Sequence, residues 1–501
     1  VNTSNKLITT KWFRHRGNAF YQLWLLKPGL EFLAEDKNDK RIGIDSLLNG
    51  SLKYFEFIPY IELLEFEGIK FLTKHSFRED YFPIAGILYK DSFSKTNSFE
   101  LNYSGLKEFS TTLNLSVRNK NYTNEFRNLG YLDNQSIVVR SQSKFSLAQS
   151  FLRGELFYEV STQKSARLQK IFVRVEQGTG NFKYLGDLNN NGIADENEFE
   201  PTTFDGDYIQ ITAPTDQLFP VIDLKTSTRW KTDFTKLFNQ RNFVSTVFRA
   251  ISSETLWRIE ENSKETKYSN IYLLKLSTFQ NESSTIRGTN LFQQDFFLFE
   301  NEQDLSFRFR FLQRTNLNEF SGGFERGYFR ERSLRIKFKM IEEISNQTDF
   351  INNDDNLSAQ TNSNRIRRVN SNFITSDFSY RPARTIEVGF KVRVGRNTDS
   401  YPSQPTVIDI NSQAIRFNLS FLSFGRLRIE LERNELLANN TQNFIPYEIT
   451  GGNQIGKNYF WRVNFDYKLS ANLQTTLSYD GRLQGNIKPI HTMRAEARAF
   501  F

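Results

Sequence analysis

The chain has 501 residues and a formal net charge of +8, with 65 Lys and Arg against 57 Asp and Glu. It contains no Cys, which excludes disulfides, thiolate metal sites and lipid attachment through an N-terminal Cys. No run reaches the roughly 18 apolar residues of a membrane helix, and so mild a charge on so long a chain does not by itself imply nucleic acid.

The first residues, VNTSNKLITT, show no initiator Met, charged n-region or apolar h-region. The expectation is an exported chain whose signal peptide is absent from this sequence, either removed or belonging to a longer precursor. Aromatic residues make up 15% of the chain, with 49 Phe and 20 Tyr against 5 Trp, a balance that suits strands and interfacial girdles. Leu113, Leu115 and Val117 alternate with Asn114, Ser116 and Arg118, and Ile171, Val173 and Val175 flank Phe172 and Arg174. This period of two predicts strands in the N-terminal half.

The sharpest motif follows. Residues 187–198 read DLNNNGIADENE, which matches the calcium loop D-x-[DN]-x-[DN]-G-x₅-E throughout. Asp187, Asn189 and Asn191 occupy positions 1, 3 and 5, and Gly192 sits where the loop must turn sharply. Ile193 would offer its backbone carbonyl, Asp195 stands at position 9, and Glu198 would close the shell as a bidentate ligand. Calcium takes about 6–8 hard oxygens, and alternate residues of a curling loop aim theirs inward. The flanks, residues 173–178 and 206–211, read as strands and not as EF-hand helices. The loop therefore resembles the helix-less calcium loops of extracellular proteins, with a structural Ca²⁺ as its cofactor. Two Asn among the ligands lower its charge and favour the modest affinity suited to a calcium-rich exterior. The polar runs Asp36-Lys37-Asn38-Asp39 and Asn352-Asn353-Asp354-Asp355-Asn356 lack this spacing, and the second is expected to be a solvated outer loop.

Towards the C-terminus the alternation repeats through Leu305 to Phe311, Leu334 to Met340, Ile386 to Val394, Ile415 to Phe421, Leu427 to Leu431, Tyr459 to Leu469 and Leu473 to Leu483. These runs are close to the roughly 9–11 residues with which a tilted strand crosses a bilayer. Short connections, Arg381 to Arg384, Leu422 to Gly425 and Ser470 to Asn472, alternate with long polar ones, Ser345 to Arg368, Asn397 to Ser412 and Leu436 to Lys457. Gln484 to Lys488 and Asn301 to Asp304 stand out as short links on the wrong side. From Pro489 the last strand alternates small or apolar residues (Met493, Ala495, Ala497, Ala499) with Thr492, Arg494, Glu496 and Arg498, and closes on Phe501.

A terminal strand of this kind resembles that of bacterial outer-membrane β-barrels, which also sort short periplasmic turns from long outer loops. The resemblance implies an all-β fold, a large antiparallel transmembrane β-barrel of roughly 20 strands with a margin of about four, carrying the calcium loop as an insertion. It divides the chain into a strand-rich part over 1–165, a calcium-loop hairpin region over 166–225 and barrel strands with long outer loops over 226–501. It also implies residence in the bacterial outer membrane and contact with its lipid. The opposite strand faces, with Arg310, Arg335, Lys391, Arg393, Arg416, Arg426 and Arg462 among them, would line a basic lumen suited to an anionic solute or polymer. Pairing of those charges across strands, Arg462 with Asp480 for example, is the plainer alternative.

His15, His75 and His491 are scattered without metal-ligand spacing. No GxSxG, Walker A or GxGxxG run occurs, so an enzyme is not expected. Nor is a nucleic-acid partner, because the basic residues alternate with apolar ones and form no patch. The leading expectation is a conduit, whether pore, transporter or translocon component, with a possible plug, lipoprotein or periplasmic partner protein. The alternatives are a surface scaffold or adhesin with a filled barrel, and a secreted calcium-binding β-protein.

Overall fold

The computed structural model describes residues 2–4, 8–43, 45–192, 194–237, 248–359, 366–421, 424–440, 445–470, 472–485 and 488–499; within these, the side chains of 2–4, 163–168, 203–205, 214–219 and 268 are not described. Ile193 and the terminal Phe501 lie outside the described residues.

The described residues form an antiparallel sheet of 24 strands with few helical turns. The first strands are β1 (Asn2–Ser4), β2 (Ile8–Phe20), β3 (Leu26–Arg41), β4 (Leu52–Phe66), β5 (Ile69–Ile84), β6 (Ile87–Leu106), β7 (Phe109–Tyr122) and β8 (Asn134–Leu147). Then come β9 (Leu152–Arg174), β10 (Gly180–Tyr184), β11 (Phe199–Gly206), β12 (Tyr208–Asp233) and β13 (Ile251–Ser263). The C-terminal run is β14 (Thr285–Leu298), β15 (Leu305–Phe320), β16 (Gly323–Ile341), β17 (Ile344–Ala359), β18 (Arg367–Ala383), β19 (Ile386–Asp399), β20 (Thr406–Ser420), β21 (Gly425–Ala438), β22 (Gly456–Ser470), β23 (Leu473–Gln484) and β24 (Ile490–Ala499). The strand number lies at the upper edge of the sequence expectation. Two compact units divide the chain: Val1–Ser165 with Phe219–Trp230 and Arg258–Phe279, and Ala166–Leu218 with Lys231–Trp257 and Gln280–Phe501. No described helix is long and apolar enough to cross a membrane, which says nothing of crossing by strands.

In the first unit β1 to β8 form a meander of neighbouring hairpins, so the first hundred residues belong to the sheet. The turns Glu67–Gly68 and Lys107–Glu108 are tight, whereas 42–51 and 123–133 connect the opposite strand ends. Gly68, at φ +79°, has backbone of Gly105 within 2.3 Å of where a Cβ would stand, so the turn admits only glycine. A helical turn, Tyr268–Tyr272, packs Ile271 onto Val160, Ile222 and Leu224, and the Tyr158 hydroxyl donates to the Tyr272 carbonyl at 2.7 Å.

In the second unit β14 to β24 pair in sequence order. Three loop expectations need correction here. Ser345–Ala359 is strand, so the expected loop from Ser345 to Arg368 shrinks to 360–366; likewise Asn397 to Ser412 shrinks to 400–405. Asn352–Asn356 runs inside β17, paired with β16 and β18 in unbroken register, and Asp36–Asp39 lies within β3. Asn and Asp are poor strand formers, but cross-strand partners hold them: Arg330 bonds Asp354 at 2.5 Å and Arg367 bonds Asp355 at 3.1 Å. Thirdly, Asn301–Asp304 lies at the same strand ends as the tight turn Glu342–Glu343. The missed feature was the Ser321–Gly322 turn between β15 and β16, which reverses the chain once more than the sequence reading counted.

Burial in this unit is inverted relative to a water-soluble sheet. One apolar row runs across six paired strands: Phe296, Phe309, Leu334, Phe350, Ile374 and Val394. Five of its members stay open, from 40% exposed at Phe350 to 52% at Ile374 and Val394, and Leu334 is half-buried. The opposite faces of these strands enclose Asp295, Asp349, Ser371 and Asn397, and the same face continued over β20, β21 and β22 encloses Ser412, Asn434 and Asn458, all buried.

Candidate functional site

The calcium motif sits at the tip of the β10–β11 hairpin, whose register pairs Tyr184 with Phe199 and Lys183 with Glu200. Aromatic rings build its base. Phe172 stacks on Phe199 with centroids 3.9 Å apart, and Phe182, Tyr184 and Tyr208 surround the pair. Asn190 and Gly192, at φ 56° and 71°, supply the left-handed steps that curl the tip.

Glu198 is 1% exposed. Its Oε1 accepts the Leu188 N–H at 2.8 Å, and its Oε2 accepts the Asp195 N–H at 3.1 Å and the Tyr184 hydroxyl at 3.4 Å. Asp187 accepts the Gly192 N–H at 2.9 Å and the Asn191 N–H at 3.2 Å. The Gly192 N–H above all, with those of Asn191 and Asn190 and a hydrogen bond shared with Glu198, holds the Asp187 carboxyl below the usual carboxylate range. Asp195 Oδ2 accepts from the side-chain amides of both Asn189 and Asn191 at 2.7 Å.

The residues thus fit a hard cation in donor type and order. Asp187 and Glu198 are brought together, Asn189, Asn191 and Asp195 touch one another, and Ile193 lies outside the described residues. Among the described residues no group of three or more His, Cys, Asp or Glu is arranged to hold a metal. The amide nitrogens of Asn189 and Asn191 face Asp195, so ligation requires these side chains to present their oxygens instead.

The hairpin is tied to β16 by one buried cation. Lys170, its side chain 8% exposed, bonds both oxygens of Glu196 at 2.7 and 2.8 Å and pairs with Glu325 of β16, under the ring of Phe320. A single parallel bridge, Phe320 to Leu168, lies beside it. Sequence reading missed this anchor, because Lys170 and Glu325 are 155 residues apart.

On the polar face most of the expected basic residues are paired. Arg310 meets Asp295 at 2.7 Å, Arg335 meets Asp349 at 2.6 Å, Arg426 meets Asp466 at 3.6 Å, and Arg416 pairs with Asp377. Arg462 meets Asp480 at 2.8 Å, as the register reading anticipated. Lys391 and Arg393 have no carboxylate within 4 Å among the described residues; the Arg393 guanidinium lies 3.9 Å over the Phe373 ring.

Of the connection from β21 to β22, residues 445–455 fold back onto this polar face. Its helical turn Tyr447–Thr450 buries Ile449 completely among Val369, Phe373, Ile408, Ile410 and Leu436. Asn397 donates to the Ile449 carbonyl at 2.6 Å, and Arg367 pairs with Glu448 at 2.9 Å. The apolar residues Ile408, Ile410 and Leu436, on faces that are otherwise polar, were the available sequence signal for this contact.

The apolar face changes character one register step beyond the apolar row. Arg332, Asn352, Asn372, Arg396 and Asp409 follow one another across five strands. They are joined by Arg332–Asn352 at 3.0 Å, Asn352–Asn372 at 2.8 Å and Arg396–Asp409 at 2.7 Å.

No protein-family model and no curated protein sequence matches the chain. Solved structures to which it is similar include the siderophore receptor PirA from Acinetobacter baumannii, at 9% identity over 94% of this chain and 73% of that one, with a TM-score of 0.37. A ferric enterobactin receptor (PfeA) mutant from Pseudomonas aeruginosa gives 7%, 96%, 73% and 0.36 for the same quantities. The outer membrane transporter YddB from Escherichia coli gives 6%, 91%, 76% and 0.32. At these identities and scores the likeness identifies no family, and the functional reading rests on the chain's own residues.

Proposed function

We propose that the chain is a bacterial outer-membrane β-barrel, its sheet closed into a wall with the apolar face toward lipid and the polar face lining a conduit. The observation that carries the reading is the inverted burial: five of the six members of the row from Phe296 to Val394 stay open while Asp295, Asp349 and Ser371 on the reverse faces are enclosed. A soluble sandwich would bury that row as its core, whereas lipid would cover it in a barrel. The charged row from Arg332 to Asp409 falls where the lipid band would end, because charge is costly within it. A structural Ca²⁺ held by Asp187, Asn189, Asn191, Ile193, Asp195 and Glu198 would stiffen the hairpin outside the membrane. Ion pairing along the polar face tempers the anion-favouring field that the basic residues alone imply.

A filled barrel serving as surface scaffold is the second reading, and the inward fold of 445–455 favours it. Single-channel conductance of the detergent-purified chain in a planar bilayer separates the two. Steady current, changed in selectivity by Lys391→Ala with Arg393→Ala, supports the conduit. Confirmed insertion without current supports the scaffold, and a chain that stays monomeric in buffer without detergent overturns both.

A further inference from the structure

Beneath the folded-back segment lies a cavity of about 390 Å³, within the size of small-ligand sites. Its floor is set by strand register. Lys391 of β19 stands beside Ala414 of β20, which stands beside Glu432 of β21; one step along, Arg393, Ser412 and Asn434 repeat the order. Each row therefore runs from cation through small residue to acceptor. Ala414 and Ser412 are buried and leave a groove, and the two poles are two strand spacings apart, roughly 10 Å between backbones.

Neither pole has an ion pair within 4 Å among the described residues; Arg393 lies over the Phe373 ring and senses the charge of Glu432 from farther away. Asp377, directly across from Lys391, is taken by Arg416, and Arg393 faces Thr375. Glu432 accepts only the Ser412 hydroxyl at 2.8 Å, with no cation within 4 Å among the described residues. The other carboxylates of the cavity are engaged: Asp355 and Glu448 share Arg367, and Glu430 faces Arg462 at 3.9 Å. Asn434, 8% exposed, carries a side-chain oxygen with no donor. A buried acceptor without a donor is costly, and an ammonium brings three N–H donors.

We propose that this cleft binds a zwitterionic solute, a free amino acid or short peptide. Its carboxylate sits on Lys391 and Arg393, and its ammonium on Glu432 and the amide oxygen of Asn434. The proposal rests on the polar face being a lumen, but it does not need the lumen to conduct.

The test is calorimetric titration of the full chain in detergent with trialanine, N-acetyl-trialanine and trialanine amide. The expected result is binding of trialanine, with each capped peptide weaker by about tenfold or more, the scale at which a site built for a charged group rejects the analogue lacking it. In the Lys391→Ala, Arg393→Ala variant, amidation no longer matters while acetylation still does. In Glu432→Gln the reverse holds. Lys391 and Arg393 reach water, so their removal leaves the sheet intact, checked by strand circular dichroism. Three peptides binding alike, or no binding by a chain of intact strand signature, overturns the proposal. Discrimination by a chain that carries no current leaves this site standing while the conduit falls.

Discussion

Two long connections of the second unit reach order by opposite means. The hairpin tip 185–198 is polar: backbone N–H groups and amides saturate Asp187, Asp195 and Glu198, and the aromatic base lies under it. The segment 445–455 is pinned chiefly by one aliphatic peg, Ile449, in a pocket of five apolar side chains, with the Arg367–Glu448 ion pair beside it. The first arrangement depends on charge and therefore on ions and pH, whereas the second depends mainly on burial and should respond to both far less.

The largest expected effect breaks the polar side of this comparison at its anchor. Lys170→Met leaves Glu196 and Glu325 facing each other in a buried site, a loss of about 3–5 kcal/mol in docking of the hairpin. Limited proteolysis should then cut within 175–207 and spare 445–455. Next, Ile449→Ala empties the peg's pocket, at about 2–4 kcal/mol. Hydrogen exchange across 445–455 should rise with and without calcium alike, and under the conduit reading the current should rise too. Equal protection in variant and parent would remove the peg from the account.

Asp187→Ala with Glu198→Ala should erase the difference that calcium makes to protease protection of 185–198, worth about 2–3 kcal/mol at a hundredfold excess over the dissociation constant. Calcium-dependent protection that survives both substitutions would falsify the metal assignment. The smallest effect is acid sensitivity. Asp187 titrates below its unfolded value, so its contribution is present above roughly pH 4 and is lost as pH falls through the lower folded value. Local exchange at Asn191 and Gly192 should rise in that window, and Asp187→Asn should flatten the response.

The β14–β24 strands were legible wherever a strand has one apolar and one polar face, as in Ile386–Val394 or Tyr459–Leu469. Legibility failed in β17 beyond Phe350, where both faces are polar and period two carries no contrast. There Arg330, Arg367 and Asn370 on neighbouring strands hold Asp354 and Asp355 in the sheet, and no local pattern announces partners so far away. The Ser321–Gly322 turn was missed for a different reason, since a two-residue reversal between long strands leaves little composition to read.

Of the candidate sites, the donor series from Asp187 to Glu198 was complete in the sequence, because loop ligands come from consecutive positions of one turn. The alternation of apolar and polar residues likewise determined that the chain is built of strands with two unlike faces. Which face is enclosed was decided only by the tertiary structure. Alternation alone is the same whether the apolar side meets a core or lipid, and register alone sets Lys391 and Arg393 across from Glu432 and Asn434.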